Sequence, residues 1–261
     1  MRVVFSFLLI SLFAIADAHA EEHPSDFLLF GARVLDASGE RFLEGVDVLI
    51  STARIVKVGP ADTFTVPDGT KRIDLTGLSL IPGLIDLHSH LLLHPYDEAS
   101  WNDQVLKESL ELRTVRAVAA MRATLEGGFT TLRDLGTEGA GYADVALRDA
   151  VSQQIVVGPR IFAVTRALVA TGCYGPSGFD PRWKMPKGAQ VADGIDGVRI
   201  AVRQQIAAGA DWIKVYADYR RKPGDAPTPT YTLEELAAIV DEANGGWCIC
   251  VESIRSQFSR F

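Results

Sequence analysis

Histidines are concentrated in one short stretch of this chain. Three of the 5 histidines (His88, His90 and His94) lie within LIPGLIDLHSHLLLH, residues 80–94, and none follows His94. On a β-strand, side chains two residues apart share a face, so Asp86, His88 and His90 would point the same way. Two neighbouring neutral imidazoles can hold a metal ion, and Asp86 could orient one of them as a hydrogen-bond acceptor. The pattern indicates part of a metal site, although two surface or core histidines that happen to alternate would give the same spacing.

The segments that must position these residues predict two kinds of architecture. Over residues 21–80, short apolar runs are separated by glycine and Asp-Gly turns, which predicts a small β-sandwich portion. Over residues 81–246, predicted strands alternate with helices in about four βα units, which indicates a parallel sheet with crossover helices. The stretch around His88 is predicted as a buried strand. The helices of this series include a long one over Asp103–Leu125 and one that Thr232 caps.

The two ends of the chain differ in character from the rest. Arg2, the apolar run that follows it and a small-x-small end at Ala20 predict a cleavable signal peptide over residues 1–20, and hence a secreted or periplasmic protein. The apolar run is shorter than the roughly 20 residues of a membrane helix, so no stable membrane span is expected. We interpret residues 247–261 as an aberrant tail from a frameshifted or prematurely ended reading frame.

Charge and cysteine content exclude other classes of protein. The net charge is −7, which argues against a nucleic-acid partner because such a partner requires a clustered basic surface. The 3 cysteines are Cys173, Cys248 and Cys250. They form no C-x-x-C pair, so structural zinc held by thiolates is not expected.

Several landmarks resemble the amidohydrolase superfamily, in its imidazolonepropionase-like and Xaa-Pro dipeptidase-like branch. PGLIDLHSH (82–90) resembles that family's first barrel strand, PG-x-x-D-x-H-x-H, and it follows a β-rich section as it does there. GGFTTLRDLG (127–136) and GADWIKVYAD (209–218) resemble the second and fourth strands. The resemblance implies an α/β fold in which residues 81–246 form the first half of a (β/α)8 TIM barrel, preceded by the β-sandwich portion.

The resemblance also implies a set of metal ligands. Lys214 matches a lysine that is often carboxylated in that family and then bridges two divalent ions, usually zinc. The implied ligands are therefore His88, His90 and Lys214. A lysine in a salt bridge, or one that reaches solvent past its apolar stem, is the simpler alternative. Tyr216 would face the same side as Lys214 and could contact a substrate carboxylate or carbonyl, with core packing an equal alternative.

The function implied by the resemblance is metal-dependent hydrolysis of C–N bonds, with water activated by the ions. It is similar to that of exported dipeptidases and N-acyl amino acid amidohydrolases, so the expected partner is a small molecule or dipeptide. Assembly into a homo-oligomer is possible in this family. Two alternatives stay open: a non-catalytic remnant or binding module of the same fold, and a hydrolase of lactones or cyclic imides.

The sequence departs from the family pattern in its ligand set. The family supplies histidines from its fifth and sixth strands and an aspartate from its eighth, but here Glu252 lies near the fifth-strand position. Tyr174 lies where related branches carry a histidine, and His94 is expected in a loop away from the metal. We therefore expect a truncated chain that binds metal weakly or not at all and has no useful turnover.

Overall fold

The fold is seen in a computed structural model that describes residues 26–61, 63, 65–180, 182–220, 224–245 and 251–253, the last three by their backbone only. The predicted signal peptide, Cys248, Cys250 and the side chain of Glu252 lie outside the described residues. The chain divides between Pro82 and Gly83 into two compact units.

The first unit is built of short strands. Its strands are β1 (Asp26–Phe30), β2 (Arg33–Leu35), β3 (Phe42–Leu43), β4 (Val46–Ser51), β5 (Arg54–Pro60), β6 (Lys71–Asp74) and β7 (Ser79–Leu80). They form one sheet in the order β5-β4-β1-β6 and a second in the order β3-β2-β7. Leu28 of β1 and Val48 of β4 are almost fully buried, so the predicted β-rich character of this section follows from apolar residues on the inner faces of these strands.

The second unit alternates strands with helices. Its elements are β8 (Leu84–Ser89), α1 (Trp101–Lys107), α2 (Leu110–Glu126), β9 (Phe129–Asp134), α3 (Ala143–Ser152), β10 (Arg160–Ala163), β11 (Leu168–Val169), β12 (Gln190–Val191), α4 (Gly194–Ala207), β13 (Ile213–Val215), β14 (Asp218–Tyr219), β15 (Thr228–Pro229), α5 (Leu233–Gly245) and β16 (Val251–Ser253). Only β14 and β15 pair antiparallel among the described strands of this unit.

The other strands of this unit pair in parallel. One sheet has the order β10-β9-β8 and another the order β12-β11-β13-β16. The carbonyl oxygen of Ala163, at the end of β10, accepts a hydrogen bond of 2.8 Å from the amide of Asp211, just before β13. This mixed α/β fold agrees with the alternation of strands and helices predicted from the sequence.

Helices α4 and α5 are held by short-range features that the sequence shows. In the capping box of α5, the Glu235 amide donates to Thr232 Oγ1 at 3.2 Å, and the Thr232 amide donates to Glu235 Oε2 at 2.8 Å, which confirms the predicted start of this helix. Val198 and Val202 of α4 and Ile239 of α5 are fully buried in the cluster that covers β11 and β13. Their helical spacing directs one apolar face of each helix onto the sheet.

The single long helix predicted over Asp103–Leu125 is wrong, since two helices occupy this range. Glu108 has an extended backbone (φ −89°, ψ 134°) and ends α1. Ser109 caps α2 by accepting a 3.2 Å hydrogen bond from the Leu112 amide. A serine side chain that accepts a hydrogen bond from a free amide stabilises the start of a helix. A second helix therefore begins at this point, although the apolar residues continue at helical spacing across it.

The prediction of a buried strand around His88 is also wrong. In β8, Ile85 and Leu87 are 60% and 58% exposed. Among the described strands, β8 pairs only with β9 and lies at the edge of its sheet. An apolar run is buried only where neighbouring elements cover it, and no periodicity within the run specifies those neighbours. None of the described helices is long and apolar enough to cross a membrane.

Candidate functional site

The two histidines of the H-x-H pattern lie side by side where β8 ends. His88 is within the strand and His90 directly follows its last residue, Ser89. The ring centroids of His88 and His90 are 5.3 Å apart, with the rings inclined by 61°. The spacing of two residues along an extended backbone therefore brings both imidazoles to one side of the chain.

The ring of His90 is oriented by the loop that follows β9. Its Nδ1 lies 3.0 Å from the carbonyl oxygen of Gly136. Because a carbonyl oxygen can only accept a hydrogen bond, Nδ1 carries the hydrogen and Nε2 keeps its lone pair. A carbonyl that fixes the tautomer in this way is a common partner of a metal-binding histidine.

His88 is held in its neutral form. His88 is exposed as a whole residue, but partial burial of its ring lowers its pKa to about 4, and the neighbouring His90 and the positive charge of Lys214 act in the same direction. A neutral imidazole has a lone pair available for a metal ion at neutral pH. Lys214 is thus close enough to His88 to act on its charge.

Lys214 lies in β13 and is 1% exposed. Its Nζ is 5.1 Å from the centre of the Tyr216 ring. The lysine therefore does not reach solvent past an apolar stem, which removes one of the two simpler alternatives. Removal of an ammonium group from water favours the uncharged amine, which is the form that can react with CO₂.

The contacts of Asp86 and Tyr216 are with other groups of the protein, and those of Tyr216 agree with the core-packing alternative. Asp86 Oδ1 accepts a 2.9 Å hydrogen bond from the backbone amide of His88, and its predicted role in orienting an imidazole stays a prediction. Tyr216 is buried and stacks on Tyr174 with ring centroids 4.7 Å apart. It packs in a small core cluster with Ala167, Val169 and Ala189, and the predicted contact with substrate stays a prediction.

Glu138, in the loop after β9, was missed in the sequence. It is 2% exposed, and its Oε2 accepts hydrogen bonds from Trp101 Nε1, at 2.8 Å, and from the Tyr174 hydroxyl. Its Oε1 lies 3.7 Å from Nδ1 of His90. Its position in the sequence, shortly after the predicted strand that became β9, could have identified Glu138 as a candidate. Polar residues that follow the carboxyl ends of parallel strands gather at one edge of the sheet.

A cavity of about 400 Å³ adjoins these residues. It is lined by His88, His90, Leu93, Tyr96, Glu138 and Tyr174. The lining combines two imidazoles and one carboxylate with aromatic and aliphatic walls. This composition is typical of pockets that bind small molecules, in which a few polar groups fix the orientation of a largely apolar ligand.

The residues present fit a divalent ion in part. Two adjacent imidazoles at the end of β8 and a buried amine acting on one of them match the donors that the sequence predicts for His88, His90 and Lys214. Within the described part of the chain, no group of three His, Cys, Asp or Glu side chains is arranged to hold a metal ion. The two imidazoles alone are therefore fewer than the three or four protein ligands of a typical zinc site.

His94 is engaged elsewhere, as expected. Its Nδ1 lies 2.8 Å from Glu98 and its Nε2 lies 2.9 Å from Glu108. Its backbone amide donates to Gln104 Oε1 at 2.9 Å, and Gln104 Nε2 donates to the His94 carbonyl oxygen at 2.8 Å. With both ring nitrogens facing carboxylates, His94 joins the loop after β8 to α1 and leaves His88 and His90 as the imidazoles of the cavity.

Comparison with known proteins places this architecture in a family. The family model described as "Amidohydrolase family" matches residues 79–245, which include His88, His90, Glu138 and Lys214. Ochratoxinase from Aspergillus niger is 28% identical over 240 residues, which cover 83% of this chain and 47% of that enzyme.

Two solved structures share the fold. A prolidase complexed with N-methylphosphonate-L-proline has a TM-score of 0.72 and 33% identity, over 87% of this chain and 56% of that one. A Xaa-Pro dipeptidase with bound methionine has a TM-score of 0.72 and 26% identity, over 88% of this chain and 57% of that one. The chain thus spans about half the length of the relatives that it matches.

Proposed function

Because the chain belongs to the amidohydrolase family, we propose that it carries the first ligands of a metal centre that hydrolyses C–N bonds of small molecules. His88, His90 and Lys214 would hold the divalent ions, with zinc the proposed metal and carboxylated Lys214 the proposed bridge. The observation that carries this proposal is the pair of adjacent imidazoles that line a cavity of about 400 Å³, with the buried Lys214 near enough to act on the charge of His88. Divalent ions, when bound, polarise carbonyl oxygens and make water acidic enough to ionise near neutral pH.

The chain's own residues would orient the ions and the substrate. The Gly136 carbonyl holds His90 with Nε2 free, and partial burial of its ring favours the unprotonated form of His88. Leu93 and Tyr96 provide an apolar wall for a side chain of the substrate. A dipeptide of the Xaa-Pro type fits this chemistry; one structural relative is named a Xaa-Pro dipeptidase and another a prolidase.

The proposal includes the architecture around the site. The parallel strands β8, β9, β10 with β11, and β13 would be the first four strands of a (β/α)8 barrel, and the β-rich unit before Pro82 would be one portion of a sandwich. Residues 1–20 would direct export. Since no histidine follows His94 in the sequence, the chain by itself would hold divalent ions weakly and turn over little substrate.

The test compares metal binding by three forms of the purified chain. Co²⁺ titrations of the wild type, His90→Ala and His94→Ala should show weak binding that is lost only in His90→Ala, because both nitrogens of His94 face carboxylates. Hydrolysis of Met-Pro, followed by proline release, should be slow or undetectable in all three. Equal Co²⁺ binding by both variants would refute the role of His90 as a metal ligand. Two tightly held zinc ions per wild-type chain would refute the expectation of weak metal binding.

A further inference from the structure

The buried carboxylate of Glu138 connects three separate segments of the second unit. Trp101 begins α1, Glu138 follows β9, and Tyr174 follows β11. Trp101 Nε1 and the Tyr174 hydroxyl both donate to the same oxygen, Oε2, and the rings of Trp101 and Tyr174 meet edge to face at 5.4 Å. The carboxylate therefore has a fixed orientation, with Oε1 directed to the side of His90.

The backbone at this point has an unfavourable conformation. Glu138 (φ 50°) and Tyr174 (φ 47°) are both in the left-handed region, which residues with a Cβ rarely adopt. Two such residues joined by one hydrogen bond at the wall of a cavity are typical of a functional site whose surroundings enforce the geometry. Glycine would fit either position without strain, so the side chains themselves are what these positions supply.

We propose that Glu138 is a positioning residue for His90, holding the imidazole in the tautomer that carries its hydrogen on Nδ1 and leaves the Nε2 lone pair available to a metal ion. Nδ1 donates to the Gly136 carbonyl at 3.0 Å, and Oε1 of Glu138 adds negative charge 3.7 Å from the same nitrogen. A carboxylate behind a histidine makes the opposite nitrogen a better donor to a cation. This inference rests on the proposed metal centre for its purpose, but its geometry stands in the metal-free chain.

The substitution Glu138→Gln tests the role with a predictable sign. Trp101 and Tyr174 both present donors to the Oε2 position, so only the amide oxygen of the glutamine can occupy it. The amide NH₂ then takes the place of Oε1 and presents an N–H to Nδ1 of His90. Two donors facing each other are unfavourable, so the Nε2–H tautomer of His90 should become more populated.

The measurement is ¹⁵N NMR of the histidine rings in the metal-free chain at about pH 8, where an ordinary imidazole is neutral. The wild type should show His90 with Nδ1–H, and Glu138→Gln should show a larger fraction of Nε2–H. Glu126→Gln is the matched control, since Glu126 is exposed and pairs only with Arg122 among the described contacts. If the wild type showed His90 with its hydrogen on Nε2, the Nδ1–H tautomer assigned to His90 would be wrong. This outcome does not depend on whether the variant folds.

A Co²⁺ titration supplies the second readout. Glu138→Gln should weaken Co²⁺ binding by about 10-fold or more, the usual effect of removing such a partner, while Glu126→Gln leaves it unchanged. An unchanged His90 tautomer, or unchanged Co²⁺ affinity despite a changed tautomer, would overturn the positioning role. A wild type that binds no Co²⁺ counts against the proposed function alone, and the tautomer of His90 then decides the positioning role.

Discussion

Gly188 is the glycine at which a methyl group should cost most at the candidate site. A Cβ built there would lie 2.5 Å from Cζ2 of Trp101, 3.1 Å from Oε2 of Glu138 and 3.1 Å from Cε1 of Tyr174. These three side chains hold each other through hydrogen bonds, so none can move without breaking a contact. Gly188→Ala should therefore cost about 1–3 kcal/mol of unfolding free energy, as overpacking of a close-packed region does.

Gly197→Ala provides a matched control with the opposite sign. Gly197 lies inside α4, and nothing would lie within 4 Å of its added Cβ. The same substitution there should stabilise the chain by about 0.5–1 kcal/mol, because alanine loses less backbone entropy than glycine in a helix. Urea denaturation of both variants measures the two changes. If Gly188→Ala unfolds at or above the wild-type midpoint while Gly197→Ala behaves as expected, the packing around Glu138 is not as described.

Three further predictions concern the hydrogen bonds, the titration and the core of the second unit. Trp101→Phe should lose about 1–3 kcal/mol in urea denaturation, because Glu138 loses a hydrogen bond to its charged group; an unchanged midpoint would contradict that bond. Burial raises the pKa of Asp144 to about 6 from 3.8, so its contribution to stability is present below pH 3.8 and lost as the pH rises through about 6. Asp144→Asn should therefore flatten the curve of stability against pH in this range, and a curve of unchanged slope would refute the raised pKa of Asp144. Met121→Ala should cost about 2–5 kcal/mol because its side chain is fully buried, whereas Val115→Ala, at 68% exposed, should change the denaturation midpoint little.

Local sequence patterns predicted much of the second unit. The capping box at Thr232 and Glu235 specifies the start of α5 without reference to any distant residue. Alternation of apolar segments with helical periods predicted the parallel α/β arrangement. The spacing of His88 and His90 predicted that their rings lie together, because an extended backbone repeats every two residues.

Features that depend on distant residues could not be predicted in this way. Glu138 has its role through contacts with residues 37 and 36 positions away, Trp101 and Tyr174, and through a left-handed backbone that its residue type does not favour. The exposure of Ile85 and Leu87 depends on what covers β8, which their own apolar character does not reveal. The break between α1 and α2 was visible in Ser109, but a continuous apolar period concealed it.

Both imidazoles lie at the end of one strand, β8, which is at the edge of its sheet among the described strands. The position of both rings therefore depends on the register of β8 against β9. A slip of one residue against β9 would present Leu87 and Ser89 where His88 and His90 now lie. Two hydrogen bonds oppose such a slip: Arg133 Nε to the Leu87 carbonyl oxygen at 2.9 Å, and the Leu135 amide to the Ser89 carbonyl oxygen at 2.9 Å. A cation bound by these two rings would further stabilise the pairing of β8 with β9. Metal binding should therefore slow hydrogen exchange of the β8 amides.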